Sequence, residues 1–217
     1  MIPFQNESNK DRLERIIRNE ILPKLESIVG AQLSEFVDLL LQSSKLKNFA
    51  KDHYLEESRS FEDGKLFYIT SGIARTFYYD TSSDKPIISR IWKKHDVIFD
   101  VNSFQNEEDR VETVQMLEEG ELLTIDYYSL KNLLNNFPKM ISCVLCLQAE
   151  RERYFMFYQR LLKLSVEDRV RLYLNDNPTL SNRINKDYIA TLLGVSRSGF
   201  SDAYAQYKQG SDKSFAK

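Results

Sequence analysis

The hydrophobic period of this chain changes twice, and that double change limits the architectures open to it. From Asp11 to Leu46 apolar residues recur at helical spacing (Leu13, Ile16, Ile17, Ile21, then Leu33, Phe36, Val37, Leu40), with Pro23 and Gly30 as punctuation, which predicts two or three short helices. From Tyr54 to Ile125 the texture becomes short runs rich in Phe, Tyr, Ile, Val and Thr: KLFYIT, IARTFYYD, IISRIW and VETVQML. Turn signals separate them at Asp63-Gly64, Ser71-Gly72, Thr81-Ser82-Ser83-Asp84 and Glu119-Gly120. Several short strands at this spacing predict a β-sandwich or barrel. Helical spacing returns at Tyr127 to Phe137 and persists, after Pro138, toward Leu164.

Along that second helical stretch, positions 140, 144, 147, 151, 154, 158 and 161 read Met, Val, Leu, Arg, Tyr, Tyr, Leu, a nearly apolar seam at coiled-coil spacing. A seam of this kind needs either a partner helix or the chain's own core. From Ser165 onward the pattern gives a helix, a turn around Asn177-Pro178, and two short helices around Gly194. The segment from Leu164 to Lys217 carries eight Lys/Arg against six Asp/Glu, a charge of +2 in a chain that is −2 overall. Nucleic-acid binding must therefore come from a local site rather than from the field of the whole molecule.

The most informative stretch is RINKDYIATLLGVSRSGFSDAYAQYK. Ile184, Ile189, Leu192 and Leu193 can line the buried face of a first helix, Ala190 is small where a second helix must approach, and Gly194 permits a tight turn. Ser196 can cap a second helix with Phe200 and Ala203 facing inward and Arg197, Ser198 and Ser201 facing out, which makes Ser196, Arg197, Ser198 and Ser201 the candidate DNA contacts of that helix. In a helix-turn-helix the N-terminal part of that second helix enters the major groove. Arg197 is the natural base reader, because a guanidinium can bond guanine O6 and N7 together. Asn185 and Lys186, opening the first helix, are the expected phosphate contacts.

FEDGKLFYITSGIARTFYYD, RVETVQMLEEGELLTID and DYIATLLGVSR together resemble the Crp/Fnr superfamily of regulators, in the cyclic-nucleotide-binding-domain form common in Bacteroidetes, from Tyr54 onward. The resemblance implies an α+β chain in which N-terminal helices and a jelly-roll β-barrel (a double-stranded β-helix) form a sensor domain over 1–137. A dimerisation helix over 138–164 and a helix-turn-helix over 165–217 with little or no wing would follow. It further implies a homodimer on a palindromic operator, with RNA polymerase and a small-molecule effector as further partners. The sequence departs from the family at Asp202, where a basic residue is common, and at Ser198, where an acidic base reader is common. Those departures keep a second reading in view, a sensor or interaction dimer with a degenerate DNA head.

In cyclic-nucleotide members of the family a Gly-Glu pair precedes an Arg that clamps the phosphate; here Asp100 and Arg110 fall at the acidic and basic positions. Phe99 stands where the glycine belongs and Val111 where a small hydroxyl residue belongs. Each buried anion group left without a donor costs about 1–3 kcal/mol, so cyclic AMP is disfavoured as the effector. Among Glu107, Glu108 and Asp109, Arg110 reads more simply as an exposed loop arginine. Cys143 and Cys146 are too few for an iron-sulfur cluster and read as helix packing; His53 and His95 lie too far apart in sequence to suggest a metal site. No nucleophile-base pair or glycine-rich phosphate loop is present, so catalysis is not expected, and no cofactor is called for. The start lacks the apolar stretch of a secretory signal and no segment is apolar for long enough to span a bilayer, so a reducing cytoplasm is the expected compartment and no membrane a partner.

Overall fold

The computed structural model describes residues 8–58, 60–79 and 85–214. The expected turn at Thr81-Ser82-Ser83-Asp84 lies outside the described residues, as do the last three positions of the chain. In chain order the elements begin with α1 (Asn9–Ile16), a single π-helical turn (Ile17–Ile21), α2 (Leu22–Val29) and α3 (Leu33–Ser43). Strands β1 (Lys45–Phe49), β2 (Tyr54–Glu56), β3 (Lys65–Ile69), β4 (Ala74–Tyr79), β5 (Pro86–Trp92) and β6 (Val97–Ile98) come next. Helix α4 (Val101–Asn106) interrupts them before β7 (Thr113–Met116), β8 (Gly120–Asp126) and α5 (Tyr127–Asn136). The C-terminal helices are α6 (Ile141–Leu161), α7 (Val166–Asp176), α8 (Leu180–Arg183), α9 (Lys186–Leu192) and α10 (Arg197–Ser214).

The chain forms two compact units, Met1–Ala74 with Trp92–Ala149, and Arg75–Ile91 with Glu150–Lys217. This partition differs from one drawn at 137 and 164: most of the β4 and β5 hairpin groups with the C-terminal helices, and the division falls inside α6.

In the first unit, an antiparallel sheet runs β1-β8-β3-β6, with Lys45 opposite Thr124, Phe67 opposite both Thr124 and Ile98, and Lys65 opposite Asp126. Strand β2 pairs antiparallel with β7, with a register shift between Tyr54 and Glu56. Phe67, Ile69, Ala74, Ile98, Val114, Met116 and Leu122 fill the interior these strands share. The strand spacing predicts a sandwich or barrel, and these sheets form a roll-like arrangement, which fits the jelly roll that the resemblance implies. A second apolar cluster joins the N-terminal helices to α4 and α5 through Leu13, Ile16, Ile17, Phe36, Phe104, Tyr127 and Leu133. Phe36 meets Phe137 edge to face at 5.2 Å, and each ring so buried contributes about 1.5–3 kcal/mol. Gly64 is required here: a Cβ at this position would lie 2.2 Å from the Tyr127 ring, whose backbone N–H donates to the Gly64 carbonyl at 3.0 Å.

The coiled-coil spacing on α6 is taken up largely by the chain itself. Val144 is buried in the N-terminal cluster with Met140 and Leu147 packed against it, and Leu161 is buried near the other end. The exposed apolar side chains of α6 are instead Ile141, Leu145, Phe155, Met156 and Phe157.

Candidate nucleic-acid interface

Ser165 begins the C-terminal helical head by capping α7, its Oγ accepting the Asp168 N–H at 3.2 Å. Val170, Leu174, Leu180, Ile184, Ile189, Ala190, Leu192, Leu193, Phe200 and Ala203 are all buried, which includes every inward residue the sequence predicts for the helix pair. Helix α9 ends in a Schellman arrangement: the Gly194 N–H donates to the Thr191 carbonyl at 3.1 Å and the Val195 N–H to the Ala190 carbonyl at 3.0 Å. Gly194 sits at φ 61°, the left-handed conformation that a side chain resists. Ser196 then caps α10, its Oγ accepting the Gly199 N–H at 3.1 Å. A helix, a glycine turn and a second capped helix follow in immediate succession.

The outward residues lie as follows. Arg197, in the first turn of α10, has 84% of its side chain exposed, and its Nε lies 3.3 Å from an Asp187 carboxylate oxygen on α9. Ser198 and Ser201 are also exposed. Their hydroxyls have local partners, Ser198 with Ser196 Oγ at 3.2 Å and Ser201 donating to the Arg197 carbonyl at 3.0 Å. Asn185 is the N-cap of α9, its side-chain oxygen accepting the Asp187 N–H at 2.9 Å. Lys186 extends its Nζ over the Tyr204 ring at 4.1 Å, and Lys208 approaches the same ring at 5.7 Å. The six expected DNA contacts therefore share one helix pair, with three of them (Asn185, Ser196, Ser201) also bonded to its backbone.

Sequence reasoning missed what holds this head in place. Arg169 on α7 donates from one nitrogen to the Leu193 carbonyl at 2.7 Å and from the other to the Leu162 and Leu164 carbonyls at 2.8 and 3.0 Å. The Tyr158 hydroxyl donates to the Leu192 carbonyl. These groups occupy carbonyls that helix ends leave without intrahelical partners. No periodicity argument could have found them, because the acceptors are backbone atoms.

The two expected effector residues lie in the first unit. Asp100 is the N-cap of α4, accepting the Ser103 N–H at 3.2 Å. Arg110 is not an exposed loop arginine: it is 4% exposed and donates to the Ser60 carbonyl at 2.8 Å and to the Glu57 carbonyl at 3.4 Å. The cause is Glu56, buried beside the β2 register shift with its carboxylate 3.7 Å from the Arg110 Nε, which itself has no hydrogen bond. Glu56 also accepts the Lys65 N–H at 2.7 Å. Burial pushes its carboxyl from the ordinary 4.5 up to about 7, against the opposing pull of Arg110, of the Lys65 N–H and of the Lys65 charge; Asp100 pushes the same way as burial. Tyr54, Glu56, Lys65 and Arg110 line a small open cleft at this place.

Two antiparallel sheets, a long helix and a terminal helix-turn-helix give the chain a Crp/Fnr-like fold. It is similar in structure to the c-di-GMP-responsive global regulator CLP of Xanthomonas campestris (TM-score 0.64, 16% identity, covering 82% of this chain and 93% of that one). FixK2 of Bradyrhizobium japonicum (0.65, 14%, 77% and 86%) is similar too, as is a protein assigned to the Crp/Fnr family of transcriptional regulators from Eubacterium rectale (0.63, 14%, 82% and 84%). No family model and no curated protein sequence matches the chain. Among the described residues no helix is long and apolar enough to cross a membrane.

Proposed function

We propose that the chain is a DNA-binding transcription regulator of the Crp/Fnr type, acting in the cytoplasm as a homodimer and contacting RNA polymerase from DNA. The observation that carries this reading is Arg197, exposed on the first turn of a Ser196-capped helix that follows a glycine turn. That is where a recognition helix presents its base reader. The ion pair with Asp187 does not block it: an exposed pair contributes about 1 kcal/mol or less, while a bidentate contact to guanine contributes about 1–3 kcal/mol. Exposed Ile141, Leu145, Phe155 and Met156 on α6 support association with a second copy.

The barrel is proposed to sense a small effector that is not cyclic AMP, and to need no cofactor. Arg110 directs its terminal nitrogens to backbone carbonyls and faces Glu56, and Phe99 is buried where a phosphate would need open backbone. The second reading, a small-molecule sensor or interaction dimer with a degenerate DNA head, is favoured by Asp187 and Asp202, two carboxylates on the helices that would approach phosphates.

The deciding experiment is selection of bound fragments from sheared genomic DNA by the purified protein at moderate salt, with Arg197→Ala in parallel. The expected result is an enriched palindrome that the variant no longer selects. Absence of salt-dependent binding by the native protein, with the dimer intact, overturns the DNA reading in favour of the second one.

A further inference from the structure

The hairpin of β4 and β5 belongs to the same compact unit as the helical head, and it carries two arginines into that unit. Thr76 and Ser89 join across the hairpin, hydroxyl to hydroxyl, at 2.8 Å. One residue further along each strand, on the opposite face by alternation, stand Arg75 and Arg90. Arg75 is 9% exposed, and its guanidinium carbon lies 4.4 Å from the Phe77 ring and 4.4 Å from the ring of Tyr188 on α9. Arg90 lies 4.5 Å over the ring of Tyr154 on α6. Tyr154 stacks on Tyr158 (6.4 Å between centroids, 9° between planes), and Tyr158 holds the Leu192 carbonyl at the end of α9.

Two routes therefore run from one strand pair to one short helix. Through Tyr188 the hairpin grips the body of α9; through Tyr154 and Tyr158 it grips the end of α9, where the turn into α10 begins. A guanidinium between two rings prefers a defined plane as well as a defined distance, so the grip fixes orientation and not only proximity. Helix α9 is seven residues long and could not hold such an orientation by its own stability.

We propose that Arg75 and Arg90 are the positioning residues of the DNA-reading helix pair, setting the orientation of α9 and its turn from the β4–β5 hairpin. The proposal rests on the DNA-binding reading for its consequence, and on the aromatic and hydrogen-bond geometry for its existence. A pre-oriented head binds with less ordering cost, so loosening the grip weakens DNA binding without touching any side chain on the recognition face.

Two readouts test it on the full-length protein. The first is amide hydrogen exchange, which needs no DNA. Arg75→Met and Tyr158→Phe should each speed exchange over 191–196 by about tenfold, the size of one lost cation–π contact or hydrogen bond, while amides of α7 keep their rates. Tyr188→Phe, which keeps the ring, should leave those rates native. The second readout is binding of sheared genomic DNA: Arg75→Met and Tyr188→Leu should each weaken it about tenfold, and the double variant no further than either alone.

Faster exchange everywhere, or none at 191–196, overturns the positioning role, as do additive losses of DNA binding. If Arg75→Met fails to fold, Arg75→Lys and Tyr158→Phe carry the same exchange test. Native protein that binds no DNA, yet shows the local exchange response, defeats the regulator reading and leaves the hairpin grip standing.

Discussion

Glu56 should make the stability of the first unit fall as pH rises, and replacing it by Gln should remove that dependence. In the native fold the carboxyl is pushed up to about 7 from an ordinary 4.5, chiefly because burial disfavours its charge. The folded form therefore holds a proton through a range in which the unfolded form has lost it. For an acid shifted upward, stability is fullest below the unfolded value of 4.5 and is lost as pH climbs toward and through 7. Weighting both forms at pH 5 and pH 8, this one group should lower unfolding free energy by about 2–3 kcal/mol between those limits. The shift comes from a nearly closed site, 8% exposed, so solvent screening discounts it little. The assay is urea denaturation of native protein and Glu56→Gln at several pH values. It is followed by the fluorescence of Trp92, the chain's single tryptophan, which lies in the same compact unit. Other titrating groups cancel between the two proteins, so the difference in pH slope isolates Glu56. Parallel profiles, or a native protein that gains stability relative to Glu56→Gln on going from pH 5 to pH 8, would refute the reasoning. The second outcome would mean that Arg110 outweighs burial and keeps the carboxylate charged.

Three further expectations follow from particular contacts. Gly64→Ala places a Cβ 2.2 Å from the Tyr127 ring and should cost about 1–3 kcal/mol, read as a lower urea midpoint by Trp92 fluorescence; an unchanged midpoint would show that the ring moves aside freely. Arg169→Met leaves the Leu162, Leu164 and Leu193 carbonyls without their donor and should destabilise the helical head by about 2–4 kcal/mol. Hydrogen exchange should then report the head opening before the first unit, and a uniform loss of protection would count against it. Asp187→Asn frees Arg197 and removes a carboxylate from the proposed interface, so DNA affinity by fluorescence anisotropy should rise about two- to fivefold at low salt, and less at high salt.

The helix-turn-helix was legible in sequence because everything that specifies it is local. Gly194, Ser196 and the apolar positions from Ile184 to Ala203 act within about a turn of their own place in the chain, and each sits as its residue type dictates. Arg110 was misread for the opposite reason. Its sequence neighbours Glu107, Glu108 and Asp109 argue for solvent, while the groups that bury it, Glu56, Glu57 and Ser60, arrive from a distant strand and its following loop. Helix α4 was hidden by its length: Val101–Asn106 is too short to show a period among strands, though Asp100 as its N-cap was a usable signal. Strand β1 was hidden by exposure, since its lysines and asparagine give no alternating apolar face. The α6 seam shows a further limit, because spacing reveals that a face will be buried but not by what. On the seam Val144 and Leu161 find their own chain, while Leu145 and Phe155, which lie off it, stay exposed.

The position of Arg169 explains how so small a head keeps a fixed shape. Carbonyls that end α9 and those that follow α6 carry the partial negative charge of their helices, and two such ends brought together would repel. One guanidinium placed between them turns that repulsion into a shared attraction, and its planar fork fixes the angle at which the two ends meet. A lysine ammonium could neutralise the same charge but could not bond both carbonyl groups in one plane. The angle between α6 and the turn at Gly194 is thus set by chemistry at their junction, with Tyr158 supplying the Leu192 carbonyl with its own donor. Because α10 starts three residues beyond that glycine, the direction in which Arg197 points is inherited from the same junction.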